Sequence, residues 1–340
     1  MQQPLAPIVL FTYNRIWHTQ QTLQALANNP FSLQSKLIIY ADAPKREASS
    51  TAIEQVAAVR NYLQTFCEQN KILRRFQEIE IIEREHNFGL ADSIIDGVST
   101  TMQKYGKAII LEDDIVVSPI FLQYMNEALN FYENNNRVWS ISAWSAPIQT
   151  DGLESCYFFR IPHCWGWASW ANRWQYYKRD VDWALQNFTQ EDIRYINLDD
   201  YSKGYWEQLL LNKSGKIKTW AIFNYLIAYK HKALTLLPSH SLIRQIGFDG
   251  SGTHCGGDDN ICNPQEVCVT LPLTYPQQVC ESKLALTRIQ QFELERRKKT
   301  FSKRITKLQR TLRNSVQKRF AALTTTGGGG QPQSQRKPIA

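Results

Sequence analysis

Short apolar runs and helical segments alternate four times in the first 120 residues, and this pattern constrains the fold more than any other feature. The apolar runs cover residues 7–12, 37–40, 76–82 and 108–111, and segments with helical spacing separate them. Such repetition is typical of parallel strands covered by helices on both faces. The sequence therefore predicts an α/β fold with a mostly parallel, Rossmann-like sheet.

Polar residues follow each of these predicted strands. They are Thr12, Arg15, Asp42, His86, Gly89 and the acidic triplet Glu112, Asp113 and Asp114. In open α/β sheets ligands bind outside the carboxyl ends of the strands. We therefore expect a binding site at this edge.

The acidic triplet Glu112–Asp114 directly follows the fourth strand. Adjacent carboxylates oppose joint ionisation when they are buried. A divalent cation with oxygen ligands is the simplest compensation, and a polar strand end with its acids in water is the alternative.

The first strand leads into Thr12-Tyr-Asn-Arg15, without a glycine-rich GxGxxG or GxxxxGK[ST] loop. This argues against a dinucleotide oxidoreductase or a P-loop kinase. Arg15 can reach a base or a phosphate, and a buried Asp42 can accept a hydrogen bond from a base N–H. Each alone is equally an ordinary loop charge.

The middle of the chain is rich in tryptophan, including Trp144, Trp165 and Trp167. Indole faces suit sugar rings and the indole N–H can bind a hydroxyl, so these three are candidate acceptor-binding or sugar-binding residues. A Trp-rich core is the alternative, because Gly166 between two indoles favours close packing.

A glycine-rich segment over residues 246–257 is a candidate lid that brings Asp249 or His254 to a bound ligand. A solvated surface loop is the alternative.

The net charge of +8 is unevenly distributed, since residues 288–319 hold twelve Lys and Arg against two Glu. A basic amphipathic helix over 284–324 suits an anionic membrane surface through residues 288–320, or packs on its own domain. Nucleic acid would also accept such an arm, but no other feature indicates base reading. We expect a catalytic domain over 1–283, with a nucleotide-binding half (1–119) and an acceptor half (120–283), and a disordered tail over 325–340.

Membrane and secretion signals are not found: the sequence has no signal-peptide pattern and no apolar run long enough for a membrane span. Its seven cysteines lack paired CxxC spacing. Reduced thiols and a cytoplasmic location, peripheral to the inner membrane face at most, are expected.

Taken in order, the motifs resemble nucleotide-sugar-dependent glycosyltransferases of the GT-A fold. The resemblance is to bacterial sugar transferases related to the Golgi N-acetylglucosaminyltransferase that begins complex N-glycans. It rests on segments spread over residues 5–257, namely Phe11–Arg15, Asp42, His86–Leu90, Ile110–Ile115, Ser142–Trp144, Gly166–Trp167 and Ile246–His254.

The resemblance implies a UDP-sugar donor, a Mn²⁺ (or Mg²⁺) cofactor and inversion at the anomeric carbon. It makes Asp114 the metal ligand, with Asp113 beside the metal or ribose. It places the donor nucleotide against Thr12, Arg15, Asp42, His86, Gly89, Glu112, Asp113 and His254. The acceptor would be a surface polysaccharide or lipid-linked glycan.

One departure concerns the catalytic base. The Golgi enzyme carries its base in a Trp-Asp-Asp-Trp run, whereas this chain has Trp220-Ala221-Ile222-Phe223. Asp249 on the lid is the substitute that we predict, with Asp182 and Glu207 as alternatives. Two other functions remain open: a sugar-nucleotide nucleotidyltransferase and a non-catalytic carbohydrate-binding module.

Overall fold

The computed structural model describes residues 4–252, 260–264, 266–270 and 273–299. The chain divides into two units, Met1–Phe292 and Glu293–Ala340. In the second unit residues 293–299 are described, and they are helical. The remainder of the predicted basic helix and the predicted tail lie outside the described residues.

Ten strands occur in the described residues. They are β1 (Ile8–Thr12), β2 (Lys36–Ala41), β3 (Glu78–Glu83), β4 (Lys107–Glu112), β5 (Ile115–Val117), β6 (Val138–Ser142), β7 (Cys156–Phe159), β8 (Trp167–Trp170), β9 (Leu234–Pro238) and β10 (Ile243–Gln245).

Nine helices accompany them in the same part of the chain. They are α1 (Ile16–Ala27), α2 (Ser50–Leu73), α3 (Gly89–Tyr105), α4 (Phe121–Tyr132), α5 (Ala171–Trp174), α6 (Val181–Asn187), α7 (Gln190–Ile196), α8 (Gly204–Lys213) and α9 (Ala221–Lys230). Residues 283–292 of the first unit are also helical.

Eight strands form one mixed sheet in the order β3-β2-β1-β4-β8-β6-β9-β7. The pairs β3–β2, β2–β1, β1–β4 and β6–β9 are parallel. β8 and β7 run antiparallel to their neighbours. The predicted mostly parallel α/β sheet is confirmed, and β1 to β4 end at the same edge.

Side chains of β1 alternate between two apolar layers, which explains why the whole strand is buried. Ile8 and Leu10 belong to the layer that contains Leu23 of α1. Val9 and Phe11 belong to the layer that contains Ile94 of α3. A strand covered on both faces needs apolar residues at every position.

The two remaining strands form a small antiparallel ribbon beside the carboxyl edge. β5 pairs with β10 so that Ile115 lies opposite Gln245. This pairing brings the segment after Gln245 next to the acidic triplet that precedes β5. No helix of the described residues is both long and apolar enough to span a membrane.

Candidate active site

The acidic triplet begins with Glu112, the last residue of β4, and continues with Asp113 and Asp114 in the tight turn before β5. Arg15 bridges the two aspartates. Arg15 Nη2 donates to Asp113 Oδ1, and it also donates to Asp114 Oδ2 at 2.8 Å. Thr22 of α1 fixes the turn by donating its hydroxyl to the Asp113 carbonyl at 2.8 Å. Helix α1 therefore supplies the anchor of the turn, and Arg15, the residue directly before α1, supplies the cation.

Burial disfavours the charged form of the acids in this turn. Asp113 and Asp114 are each 4% exposed. Desolvation raises the pKa of Glu112 above its ordinary value, and the charges of Asp114 and Asp113 raise it further. Desolvation and the Asp114 charge raise the pKa of Asp113 in the same way, although Arg15 opposes them. One guanidinium does not fully compensate three acids, so the turn favours additional positive charge.

Unpaired hydrogen-bond donor and acceptor atoms lie together at this turn. The buried atoms Arg15 Nη1, Asp113 Oδ2 and Asp114 Oδ1 have no hydrogen-bond partner in the described parts of the chain. Leaving a buried polar group unpaired costs about 1–3 kcal/mol. A ligand that carries both a cation and anionic oxygens would satisfy all three atoms.

The donor set fits a divalent cation that arrives with a phosphate-bearing ligand. Within the described residues, no group of three or more His, Cys, Asp or Glu side chains could hold a metal ion alone. However, Mg²⁺ is usually bound by one or two carboxylates plus substrate phosphates and water. The free oxygens of Asp113 and Asp114 meet that requirement.

Gly247 packs directly over the acidic turn. The Ile246 N–H donates to the Asp114 carbonyl at 2.9 Å, as a continuation of the β5–β10 ribbon. A Cβ at position 247 would overlap the Asp114 carboxylate and lie 3.0 Å from Arg15 Nη1. Only glycine lets the backbone approach the turn this closely.

Asp249 lies above the same turn, on the loop after β10. Its Oδ2 is 3.2 Å from Nε2 of His18, the third residue of α1. The Ser251 hydroxyl and N–H both donate to Oδ1, and these hydrogen bonds lower the Asp249 pKa, as do the nearby His18 and Arg15. Asp249 is therefore ionised at neutral pH. His254 lies outside the described residues.

Asp42, at the end of β2, holds two strand-end loops together. Its Oδ1 accepts hydrogen bonds from the N–H groups of Ala43 and Phe88, each at 2.9 Å. Its Oδ2 accepts from the Gly89 N–H at 2.9 Å and from the Asn87 side chain at 3.1 Å. Asp42 therefore anchors the start of α3. An N–H group of a nucleotide base could hydrogen-bond to this carboxylate only by sharing it with these backbone donors.

The remaining predicted donor residues lie at the same edge. Thr12 is buried, and its hydroxyl is 3.5 Å from the Tyr40 carbonyl that it donates to. His86 is exposed, with its ring stacked on Phe88 at 4.8 Å. Gly89 begins α3 with φ +71°, a backbone conformation that glycine adopts without strain. The structure thus brings all the described strand-end candidates to one edge.

Two of the three predicted sugar-binding tryptophans lie together near Gly247. The ring centroids of Trp144 and Trp165 are 5.1 Å apart, and Phe248 packs on Trp165 at 5.7 Å. Trp144 is 6% exposed, and its indole N–H donates to the Cys262 carbonyl at 3.0 Å. Trp165 is partly buried and is the more accessible of the two.

Trp167 lies in the other apolar layer, away from Trp144 and Trp165. It is 1% exposed, and its ring stacks on Trp220 with 5.4 Å between centroids. Its ring therefore has no surface for a ligand in this conformation.

The run Trp220–Phe223, where the resemblance would place the base, lies among buried residues. Trp220 is 5% exposed at the start of α9, and Ile222 behind it is buried. The alternative acids are in other helices, Asp182 in α6 and Glu207 in α8.

Sequence reasoning missed His18, Gly247 and His163. His18 lies in the first turn of α1, and Arg15 directly precedes this helix. His163 packs on Trp144 with ring centroids 4.4 Å apart. Only Gly247 had a usable signal, since it lies in the predicted lid.

A separate cavity of about 440 Å³ lies near the amino ends of β6 and β9, lined by residues that include Arg137, Tyr195 and Lys230. Since the acidic turn follows the carboxyl end of β4, this cavity is not part of the candidate site.

Solved structures similar to this chain include two of UDP-glucose pyrophosphorylase. The complex with UDP-glucose is 12% identical over 69% of this chain and 90% of that chain, with a TM-score of 0.36. The apo structure is 10% identical over 72% and 94%, with a TM-score of 0.35. Likeness this low has no bearing on activity. No curated protein matches the sequence.

A mostly parallel, Rossmann-like sheet with an acidic turn at its carboxyl edge is consistent with a GT-A-like nucleotide-sugar enzyme. The chain belongs to the GNT-I family, whose model matches residues 1–175 and thus includes Arg15, Asp42 and the acidic turn. It is a glycosyltransferase that uses a nucleotide sugar. The loop after β10 lies beyond the matched residues.

Proposed function

We propose that this protein transfers a sugar from a UDP-linked donor to a hydroxyl of a surface-polysaccharide or lipid-linked glycan acceptor. The observation that carries the proposal is the meeting of buried, unpaired atoms of opposite character at one turn: Arg15 Nη1, Asp113 Oδ2 and Asp114 Oδ1. A metal–diphosphate complex has the cation for the carboxylates and the anionic oxygens for the guanidinium. Membership of a glycosyltransferase family supports the same assignment.

Asp114 and Asp113 would hold Mn²⁺ or Mg²⁺, and the bound cation would neutralise charge on the leaving diphosphate. Arg15 would bind a diphosphate oxygen through Nη1 while Nη2 keeps the two carboxylates in place. Asp42 would fix the loop that leads into α3, beside the nucleotide.

Transfer would proceed by a single displacement with inversion. The acceptor oxygen attacks the anomeric carbon as the bond from that carbon to the diphosphate oxygen breaks. The hydroxyl proton passes to a carboxylate of the protein, for which we propose Asp249. Its ionised state and its place over the acidic turn support this role.

A panel of nucleotide sugars tests the function directly. We expect Mn²⁺-dependent release of UDP from at least one UDP-sugar, and its loss on addition of EDTA. Pyrophosphate release from UTP and a sugar 1-phosphate would instead identify a nucleotidyltransferase. Sugar binding without turnover of any donor would identify a carbohydrate-binding module.

Replacing Asp249 with asparagine tests the proposed base. Asparagine keeps the shape but cannot take the proton, so kcat should fall by about 100- to 10,000-fold. Because the diphosphate contacts stay, KM for the donor should change little. Asp249→Glu restores a carboxylate and should retain more activity than Asp249→Asn. Turnover of Asp249→Asn within a few-fold of the wild type at saturating donor would show that Asp249 is not the base.

We also propose that the basic arm, residues 288–320, binds an anionic membrane surface from the cytoplasmic side. Ile289 is 4% exposed in the core of the first unit, so deletion from residue 288 would damage the fold. Replacing the Lys and Arg residues between 296 and 319 by Gln avoids this damage. Each Lys or Arg near an anionic surface contributes about 1 kcal/mol, so the variant should lose binding to phosphatidylserine vesicles. Unchanged binding would contradict the membrane role.

A further inference from the structure

We propose that His163 supplies the polar contact of a subsite for the donor sugar ring, formed with Trp165 and Phe248. The proposal rests on the proposed function, because it assigns the group attached to the diphosphate. The subsite lies next to the acidic turn, on the side of the loop after β10.

A short chain of contacts connects the acidic turn to His163. Gly247 packs over the Asp114 carboxylate, and Phe248 follows it. The Phe248 ring contacts Trp165 at 5.7 Å, and Trp165 contacts Trp144 at 5.1 Å. Trp144 contacts His163 at 4.4 Å. In a nucleotide sugar the donor sugar is attached directly to the diphosphate, and the proposed subsite adjoins the acidic turn through Gly247 and Phe248.

The polar atom of this group is unpaired. His163 Nε2 is buried and has no hydrogen-bond partner among the residues that the structure describes. Its ring is held between Trp144 and the parallel ring of Phe159, 6.4 Å away. Packing thus fixes the imidazole while one nitrogen stays free for a ligand.

The chemistry of this nitrogen favours a neutral hydroxyl over an anion. Burial lowers the pKa of His163 to about 3, so the imidazole is uncharged at neutral pH. An uncharged imidazole nitrogen donates or accepts one hydrogen bond, and a hydroxyl can serve as either partner. Aromatic side chains beside it supply apolar faces for the C–H groups of a pyranose. Together these features select a sugar.

Phe248 is the part of the subsite that the loop after β10 supplies, and it packs on Trp165. The loop that carries it continues from β10, and its ring lies nearly perpendicular to the Trp165 ring at 83°. Phe248 is only partly buried, whereas Trp144, which also contacts Trp165, is 6% exposed. A movement of this loop would uncover more of the Trp165 ring for the sugar.

Calorimetry with UDP and a panel of UDP-sugars, in the presence of Mn²⁺, separates this subsite from nucleotide binding. We expect the wild type to bind at least one UDP-sugar more tightly than UDP. His163→Phe keeps the aromatic packing but removes the nitrogen, so it should reduce this sugar-dependent gain by about 10-fold, the value of one hydrogen bond. Affinity for UDP itself should not change.

Two further variants keep the test decisive. His231→Phe makes the same substitution where a histidine packs on Trp139 and Tyr176 at the far end of α9, and it should change neither affinity. His163→Gln retains a hydrogen-bonding group and should keep part of the gain if His163→Phe folds poorly.

An unchanged sugar-dependent gain in both His163 variants would overturn the subsite. An equal loss of affinity for UDP and for UDP-sugars would do the same, because it would indicate a structural role. Failure of the wild type to bind UDP would instead refute the proposed function.

Discussion

Replacing Asp114 with alanine is expected to lower the rate of sugar transfer by about 100- to 1,000-fold, the effect of losing one electrostatic contact to developing charge. Asp114 presents one free buried oxygen and shares Arg15 with Asp113. Its removal would leave Asp113 as the sole cation ligand of the pair and would free Arg15 to shift. The Mn²⁺ concentration that gives half-maximal activity should rise.

The thermal stability of Asp114→Ala should rise or stay the same, although its transfer activity falls. Desolvation raises the pKa of Glu112 and of Asp113, and the charge of Asp114 raises both further, as expected for neighbouring acids that repel each other in the folded state. Alanine at 114 relieves that repulsion, while Arg15 keeps its contact with Asp113. The melting temperature of Asp114→Ala should therefore equal or exceed that of the wild type. Such a trade between stability and activity is common at functional sites.

Asp151→Ala is the matched control, because Asp151 is an exposed acid in the turn before β7. It should leave both transfer and melting temperature unchanged. Full transfer activity in Asp114→Ala would remove Asp114 from the site. A large fall in its melting temperature would show that the acidic turn is structural.

Sequence patterns predicted the parallel half of the fold because β1, β2 and β4 are apolar at nearly every position, whereas β3, an edge strand, has isoleucines between its glutamates. Residues 8–11 and 108–111 are buried in two layers, and this produces the continuous apolar runs. β8 was missed as a strand because it has only four residues, Trp167–Trp170, and follows a turn at Gly166 with φ +67°. Two periods of alternation are too few to recognise a strand.

The position of the acids was predictable, but their partners were not. Strand ends of a parallel sheet converge by topology, so Arg15, Asp42 and Asp114 could be placed at one edge from the sequence. The contact of Gly247 with Asp114 depends on the pairing of β5 with β10, two three-residue strands far apart in the chain. Such pairings leave no local signal.

The tryptophans also show what sequence patterns could not predict, namely which side chain lies near the acidic turn. Trp165 and Trp167 are two residues apart, yet Trp165 lies near the acidic turn and Trp167 is stacked on Trp220 in the opposite layer. Residues two apart share a face only in a regular strand, and Gly166 interrupts that regularity. Sequence alone could not separate a ligand-facing indole from a core indole.

Replacing Gly247 with alanine is expected to reduce transfer by about 100-fold, the scale of effect produced by a 1 Å misplacement in an active site. The backbone at Gly247 is not in the left-handed region, so alanine causes no strain in the chain itself. The added methyl group would instead overlap the Asp114 carboxylate and press on Arg15. Either the loop lifts or the carboxylate turns, and both disturb the proposed cation site. Gly204→Ala is the control, since a Cβ there meets only the Ser202 hydroxyl at 3.9 Å.

A double-mutant cycle with Asp114 makes this contact measurable without a known substrate. In the wild type, overpacking by Gly247→Ala should lower the free energy of unfolding by about 1–3 kcal/mol. In the Asp114→Ala background the carboxylate is gone, so the same substitution should cost far less. Because residues in contact are non-additive and distant ones are additive, the difference reports the Gly247–Asp114 contact directly. If Gly247→Ala lowers the free energy of unfolding equally in both backgrounds, the loop after β10 does not lie over the acidic turn in solution. In that case the structure would no longer support Asp249 as the base.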